Sequence, residues 1–140
     1  MKKVTPTTRS WPDQHPQSLK INRGFTMDIV AILLFWALAA FFLFGALNNF
    51  QARGNLRETY RRWGYPDGFH YVTAALEFIA AILLILPNTR ILGAILASIV
   101  MIAALSTLLI NGLRKQAVTP SIVLALCGLG VAVAYNTSAS

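Results

Sequence analysis

Apolar positions along this chain gather into long blocks. They show neither the alternation of a half-buried strand nor the single stripe of a soluble amphipathic helix. Ile29–Leu47 runs for nineteen residues without a charge, and Phe69–Leu86 for eighteen with a lone carboxylate, Glu77, at its centre. Ile91–Leu113 and Pro120–Tyr135 follow. Eighteen helical residues reach about 27 Å, close to the hydrocarbon thickness of a bilayer. The pattern predicts an all-α integral membrane four-helix bundle of up-down topology, with spans near 29–49, 69–86, 91–113 and 120–135. Pro87-Asn88-Thr89-Arg90 has room only for a tight turn, so the second and third spans are expected as antiparallel neighbours. Pro120 suits the first turn of the fourth span, where a missing N–H costs little. Gly93xxxAla97 and Ala94xxxSer98 allow close helix approach on the third.

The polar stretches complete the domain plan. Residues 1–27 carry Pro6, Pro12, Pro16 and five Lys/Arg without an apolar period, and read as a disordered basic tail. The apolar run continues past Ala37-Leu38-Ala39, which argues for an uncleaved anchor over a signal peptide. Met27, directly before the first span, is an alternative start of the chain. Residues 28–135 form the four-helix transmembrane domain and 136–140 a polar C-terminal tail. In the first loop, Leu56, Tyr60 and Trp63 recur at i, i+4, i+7, with Arg57, Arg61 and Arg62 off that face. This predicts a short interfacial helix within 55–63, aromatics down and arginines up, followed by a break at Gly64–Gly68. A solvated basic loop is the alternative.

Composition agrees. The chain is 56% hydrophobic and 12% charged, about half the charge of a soluble domain. One Cys makes no internal disulfide, and no CxxC is present. The net charge of +7 comes from the tail and loops, which in a membrane protein bears on topology and lipid contact; no motif points to nucleic acid. Discounting charges far from a span places the first and third loops in the cytoplasm and both termini outside.

Gly64-Tyr65-Pro66, then Phe69, Tyr71, Ala75-Leu76-Glu77, Leu83-Leu84-Ile85-Leu86-Pro87, and Arg90 with Leu92-Gly93-Ala94 form an ordered set. In these residues the chain resembles the DoxX-like family of small four-helix bacterial membrane proteins, over roughly Asp28–Tyr135. The resemblance implies a multi-pass protein of the bacterial cytoplasmic membrane. The family takes its name from a subunit of thiosulfate:quinone oxidoreductase, so the resemblance also implies a redox, quinone-linked setting.

Glu77 is the sharpest chemical candidate, because an acid at that depth must face protein or a water cavity. Thr73 and His70 lie at i−4 and i−7 on its face, with Tyr71 at the interface, and Ser98 lies at similar depth on the third span. The functional reading is a polar track from His70 and Tyr71 inward to Glu77, able to take a proton or the head of a quinone. The competing reading is a packing role, with Glu77 hydrogen-bonded to Ser98 or a free carbonyl and setting helix register. Arg90, Tyr65 and Trp63 read as interfacial anchors. His15 and His70 cannot converge on a haem, and the spacings of a zinc or iron site are absent, so no cofactor or metal of its own is expected. No catalytic motif is present. The expected function is a non-catalytic membrane subunit or partner of a redox complex, with a membrane or soluble oxidoreductase and quinone as partners besides the lipid bilayer. The alternatives are a small transporter or proton-conducting bundle, as a homo-oligomer, and a purely structural membrane partner.

Overall fold

The computed structural model describes Met1 and residues 17–138, with side chains from Phe25 to Asn136. The described residues form helices α1 (Gln17–Gln51), α2 (Leu56–Arg62), α3 (Phe69–Ile85), α4 (Arg90–Ile110) and α5 (Arg114–Ser138), with a 3₁₀ turn at Pro87–Thr89 between α3 and α4. The four long helices form a ring in which α1 packs on α3, α3 on α4, α4 on α5 and α5 back on α1. The short α2 lies against α3.

Residues 25–51, 87–110 and 114–136 are each long and apolar enough to cross a membrane; α3 is equally apolar but has seventeen residues. The inside of the ring is lined by small residues: Ala31, Ala39, Ala74, Ala80, Ala81, Ala94 and Ala97 are buried, while Phe44, Ile79, Ile95, Ile99 and Leu129 face outward. Lipid is as apolar as leucine, so helix association there rests on close packing, which small residues permit. A Cβ on Gly93 would meet the Leu84 backbone nitrogen at 2.7 Å, so only glycine lets α4 approach α3 there. Phe35, Phe42, Leu84 and Cys127 fill the rest and are fully buried. Phe35, Leu84 and Cys127 close the half of the ring nearest the Pro87 turn.

Three boundaries differ from the sequence reading. The backbone of 17–27, read as tail, is helical and continuous with α1; Trp11, His15 and the other residues of 2–16 lie outside the described residues. Arg114 and Lys115, expected in a loop, open α5, and Pro120 stands inside that helix instead of in its first turn. The reason is the end of α4. Gly112 takes φ 72°, the Leu113 N–H reaches the Leu108 carbonyl at 2.8 Å and the Gly112 N–H the Leu109 carbonyl at 3.1 Å. That glycine-terminated cap reverses the chain within three residues, so α5 starts before its apolar block does. Finally, α5 carries the backbone through Ser138, into the stretch read as a polar tail.

Gly64 ends α2 in the same way. It takes φ 84°, with Tyr65 N–H bonded to the Tyr60 carbonyl and Gly64 N–H to the Arg61 carbonyl, both at 3.0 Å. Such a cap brings the residue after the glycine onto the helix's last turn. Here that residue is Tyr65, whose ring lies 5.7 Å from Tyr60 and stacks on Phe69 at 4.4 Å. The break expected at Gly64–Gly68 therefore sets aromatic rings over the end of the bundle.

Candidate functional site: a carboxylate at the end of a lateral cavity

Glu77 is buried, at 7% exposure, eight residues into α3 and so about 12 Å from its start. Asn49 in the last turn of α1 donates its Nδ2 to Glu77 Oε2 at 2.8 Å and to the Gly45 carbonyl at 3.2 Å. The Tyr60 hydroxyl of α2 donates to Asn49 Oδ1 at 3.0 Å and stands 3.3 Å from Thr73 Oγ1. Thr73 sits one turn before Glu77 and 3.4 Å from the Phe69 carbonyl. Three helices thus converge on one carboxylate. Among the described residues Glu77 has no cation: the ion pairs are Arg61–Asp67 and Arg62–Glu58, both exposed. Oε1 makes no hydrogen bond among the described residues and faces Gly45, where an added Cβ would stand 2.9 Å from it.

The group forms the polar end of a cavity of about 320 Å³ between α3 and α4, roofed by Tyr60, Trp63 and Tyr65. Its remaining wall is apolar, with Phe69, Leu96, Val100 and Ala103. Leu76 and Ile99 border it and are exposed on the outside of the ring, so it opens sideways between the two helices. Tyr65 and Thr107 hydroxyls meet at 2.6 Å across its mouth. A second cavity, of about 280 Å³, reaches Glu77 from the other side, between α1, α4 and α5, and includes Asn48, Gly45 and Pro120. Tyr60 is held neutral to higher pH than usual, chiefly by burial, with the neighbouring Glu77 acting in the same direction.

The sequence-predicted residues divide. Thr73 joins Glu77 through Tyr60 and Asn49. His70 and Tyr71 do not; His70 is buried in the first turn of α3, against Tyr71 at 4.1 Å, and lines another pocket. Seven residues rotate only about 20° off the Glu77 face but rise about 10.5 Å, so it is height along α3 that leaves His70 at the α2 end, away from the carboxylate. Ser98 donates to the Ala94 carbonyl at 2.7 Å and faces Cys127 instead of Glu77. Its depth is right, but Ile99, Val100 and Met101 are the residues of that turn that border the two Glu77 cavities. Trp63 and Tyr65, read as interfacial anchors, are half-buried cavity walls, because α2 lays its aromatic face on the bundle. Arg90 is at the opposite end, its guanidinium 5.6 Å from the Phe35 ring centroid. Asn49 and Tyr60 were missed as partners of Glu77. The available signal for Asn49 was its position four residues after Gly45, a small residue and an amide on one helix face. Among the described residues no three of His, Cys, Asp and Glu come together as metal ligands.

Comparison with known families matches residues 32–130 to the DoxX-like family. The chain belongs to the DoxX-like family. The matched region takes in α1 from Ile32, the whole site, and α5 as far as Gly130. With its apolar helices, this DoxX-like chain is a small multi-pass membrane protein. No curated protein and no solved structure matches it.

Proposed function

We propose that this DoxX-like protein is a non-catalytic membrane subunit that holds a quinone for a redox partner, with Glu77 at the head of the site. In this reading α3 crosses the bacterial cytoplasmic membrane alongside α1, α4 and α5, giving four spans of alternating direction with α2 at the interface. Seventeen residues rise about 25 Å, enough with slight local thinning of the bilayer.

One observation carries the reading: an apolar cavity that opens sideways toward lipid and ends in a hydrogen-bonded carboxylate. A quinone arrives from the bilayer, has a flat ring suited to stacking among aromatic side chains, and presents two carbonyl oxygens to donors. Trp63, Tyr65 and Phe69 supply the aromatic wall. Tyr60, Thr73 and Glu77 supply the polar end, where Glu77 exchanges a proton with the head group as the partner oxidises or reduces it. Electron transfer is the work of that partner, a membrane or soluble oxidoreductase.

The packing favours binding over conduction. Both Glu77 cavities lie toward the α2 end of the bundle, and Phe35, Leu84, Ala97 and Cys127 fill the other half without exposure above 0%. A transport path past Glu77 would need that half to open.

The test uses full-length protein in nanodiscs titrated with a short-chain quinone, reading Trp63 fluorescence. Quenching should occur, should vanish in Trp63→Phe, and should weaken about tenfold in affinity in Glu77→Leu or Tyr60→Phe, the worth of one hydrogen bond. Equal affinity in all variants would reject the site. Pull-down from native membranes, with cofactor and quinone analysis, identifies the oxidoreductase.

A further inference from the structure

On the far side of α2 from the Glu77 cavity lies a separate pocket of about 360 Å³, walled by Arg57, Arg61, Asp67, His70 and Tyr71. Its chemistry differs from that of the quinone cavity. Two arginines face one carboxylate: Arg61 Nε pairs with Asp67 at 3.4 Å, and Arg57 rests on the Tyr71 hydroxyl at 3.4 Å. Arg57 has no carboxylate partner among the described residues. The pocket is also set at the start of α3, which follows Gly68 at φ 86° with no side-chain cap. The Phe69 N–H bonds the Pro66 carbonyl at 3.1 Å and the Tyr71 N–H the Gly68 carbonyl at 2.9 Å, so the helix start contributes the positive end of its dipole.

The second observation is His70. It forms part of the pocket wall, is 97% buried (3% exposed), and its Nε2 has no hydrogen-bond partner. A buried polar nitrogen left unmatched is rare and points to a missing partner. Excess positive charge and a helix N-terminus call for an oxyanion with several acceptor oxygens, and the orphaned Nε2 matches one of those oxygens in the tautomer that carries its proton there.

We propose that this pocket binds a phosphate group, held by Arg57, Arg61 and His70 beside the positive end of α3. Two sources share that chemistry, the headgroup of a phospholipid at the membrane surface and free phosphate. The pocket shares the Tyr60 ring with the Glu77 cavity but none of the groups that contact Glu77, so its failure leaves the quinone reading standing.

The experiment uses the full chain in a phosphate-free maltoside detergent. Separate arms add inorganic phosphate, phosphatidylglycerol, and diacylglycerol as a control for acyl chains. The readout is the imidazole nitrogen chemical shift of His70, assigned by its loss in His70→Asn. A saturable shift in the lipid arm with none from diacylglycerol identifies a headgroup site; a shift with inorganic phosphate identifies a site open to the free ion. In Arg57→Gln/Arg61→Gln, where both side chains are exposed and the fold is retained, the midpoint should rise about tenfold. No shift in either phosphate arm, a shift equal to that from diacylglycerol, or an unchanged midpoint in the double variant would each overturn the proposal.

Discussion

Asn49 and Glu77, twenty-eight positions apart in sequence, are joined by a 2.8 Å hydrogen bond from Nδ2 to Oε2 that ties α1 to α3. The same amide also closes onto the Gly45 carbonyl and accepts from Tyr60, so one side chain coordinates three elements. Removing it leaves a buried carboxyl oxygen unmatched, which costs about 1–3 kcal/mol. Asn49→Ala should lower the unfolding temperature in detergent. Adding Glu77→Leu to Asn49→Ala should cost less than the sum of the two single changes, because the orphaned acceptor is then gone. Additive losses would show that the pair does not interact.

Gly45 makes room for that carboxylate. A methyl group there would sit 2.9 Å from Oε1 and 3.1 Å from the carboxyl carbon. Gly45→Ala should destabilise by about 1–3 kcal/mol, the usual cost of overpacking. Gly45→Ala in a Glu77→Ala background should be tolerated, since helix propensity favours Ala by about 1 kcal/mol. Thermal denaturation of the four proteins reads the sign change.

Tyr60 gives a pH signature outside the membrane-spanning helices. Burial, then the neighbouring Glu77 and Tyr65, raise its pKa above 10.0. In the unfolded chain the phenol ionises near its ordinary value; in the folded chain it ionises later. The folded state therefore loses stability as pH rises above about 10, until the folded pKa is passed. Titration followed by tyrosinate absorbance should show a late component that is absent in Tyr60→Phe. A titration unchanged by Tyr60→Phe would contradict the burial.

Gly64 positions the roof of the cavity. At φ 84° an alanine costs about 1–2 kcal/mol, and relief of that strain would pull Tyr65 away from Phe69 and Thr107. Gly64→Ala should weaken quinone affinity more than it lowers the unfolding temperature of the helices, because α2 has few contacts beyond α3. The nanodisc titration and a melting curve on the same protein separate the two effects.

The chain's local chemistry announced much of this architecture. Uninterrupted apolar blocks mark helices that satisfy their own backbone groups in lipid. The i, i+4, i+7 spacing of Leu56, Tyr60 and Trp63 marked α2, found at Leu56–Arg62. Depth arithmetic along α3 singled out Glu77 as the acid needing a partner. What one-dimensional spacing lacks is the rotation of each helix about its axis and the place where a short helix docks. Rotation turned Ser98 toward Cys127, and the docking of α2 over the first turn of α3 put His70 in a separate pocket. Docking of α2, through the Gly64 cap, brought Tyr60 to Asn49 and converted Trp63 and Tyr65 from surface anchors into cavity walls. Helix identity is a property of consecutive residues, legible in their order. The carboxylate's partners come from α1 and α2, and only the packing of small-residue faces, with Gly45 beside Glu77 and Gly93 against Leu84, brings those helices close enough to meet it.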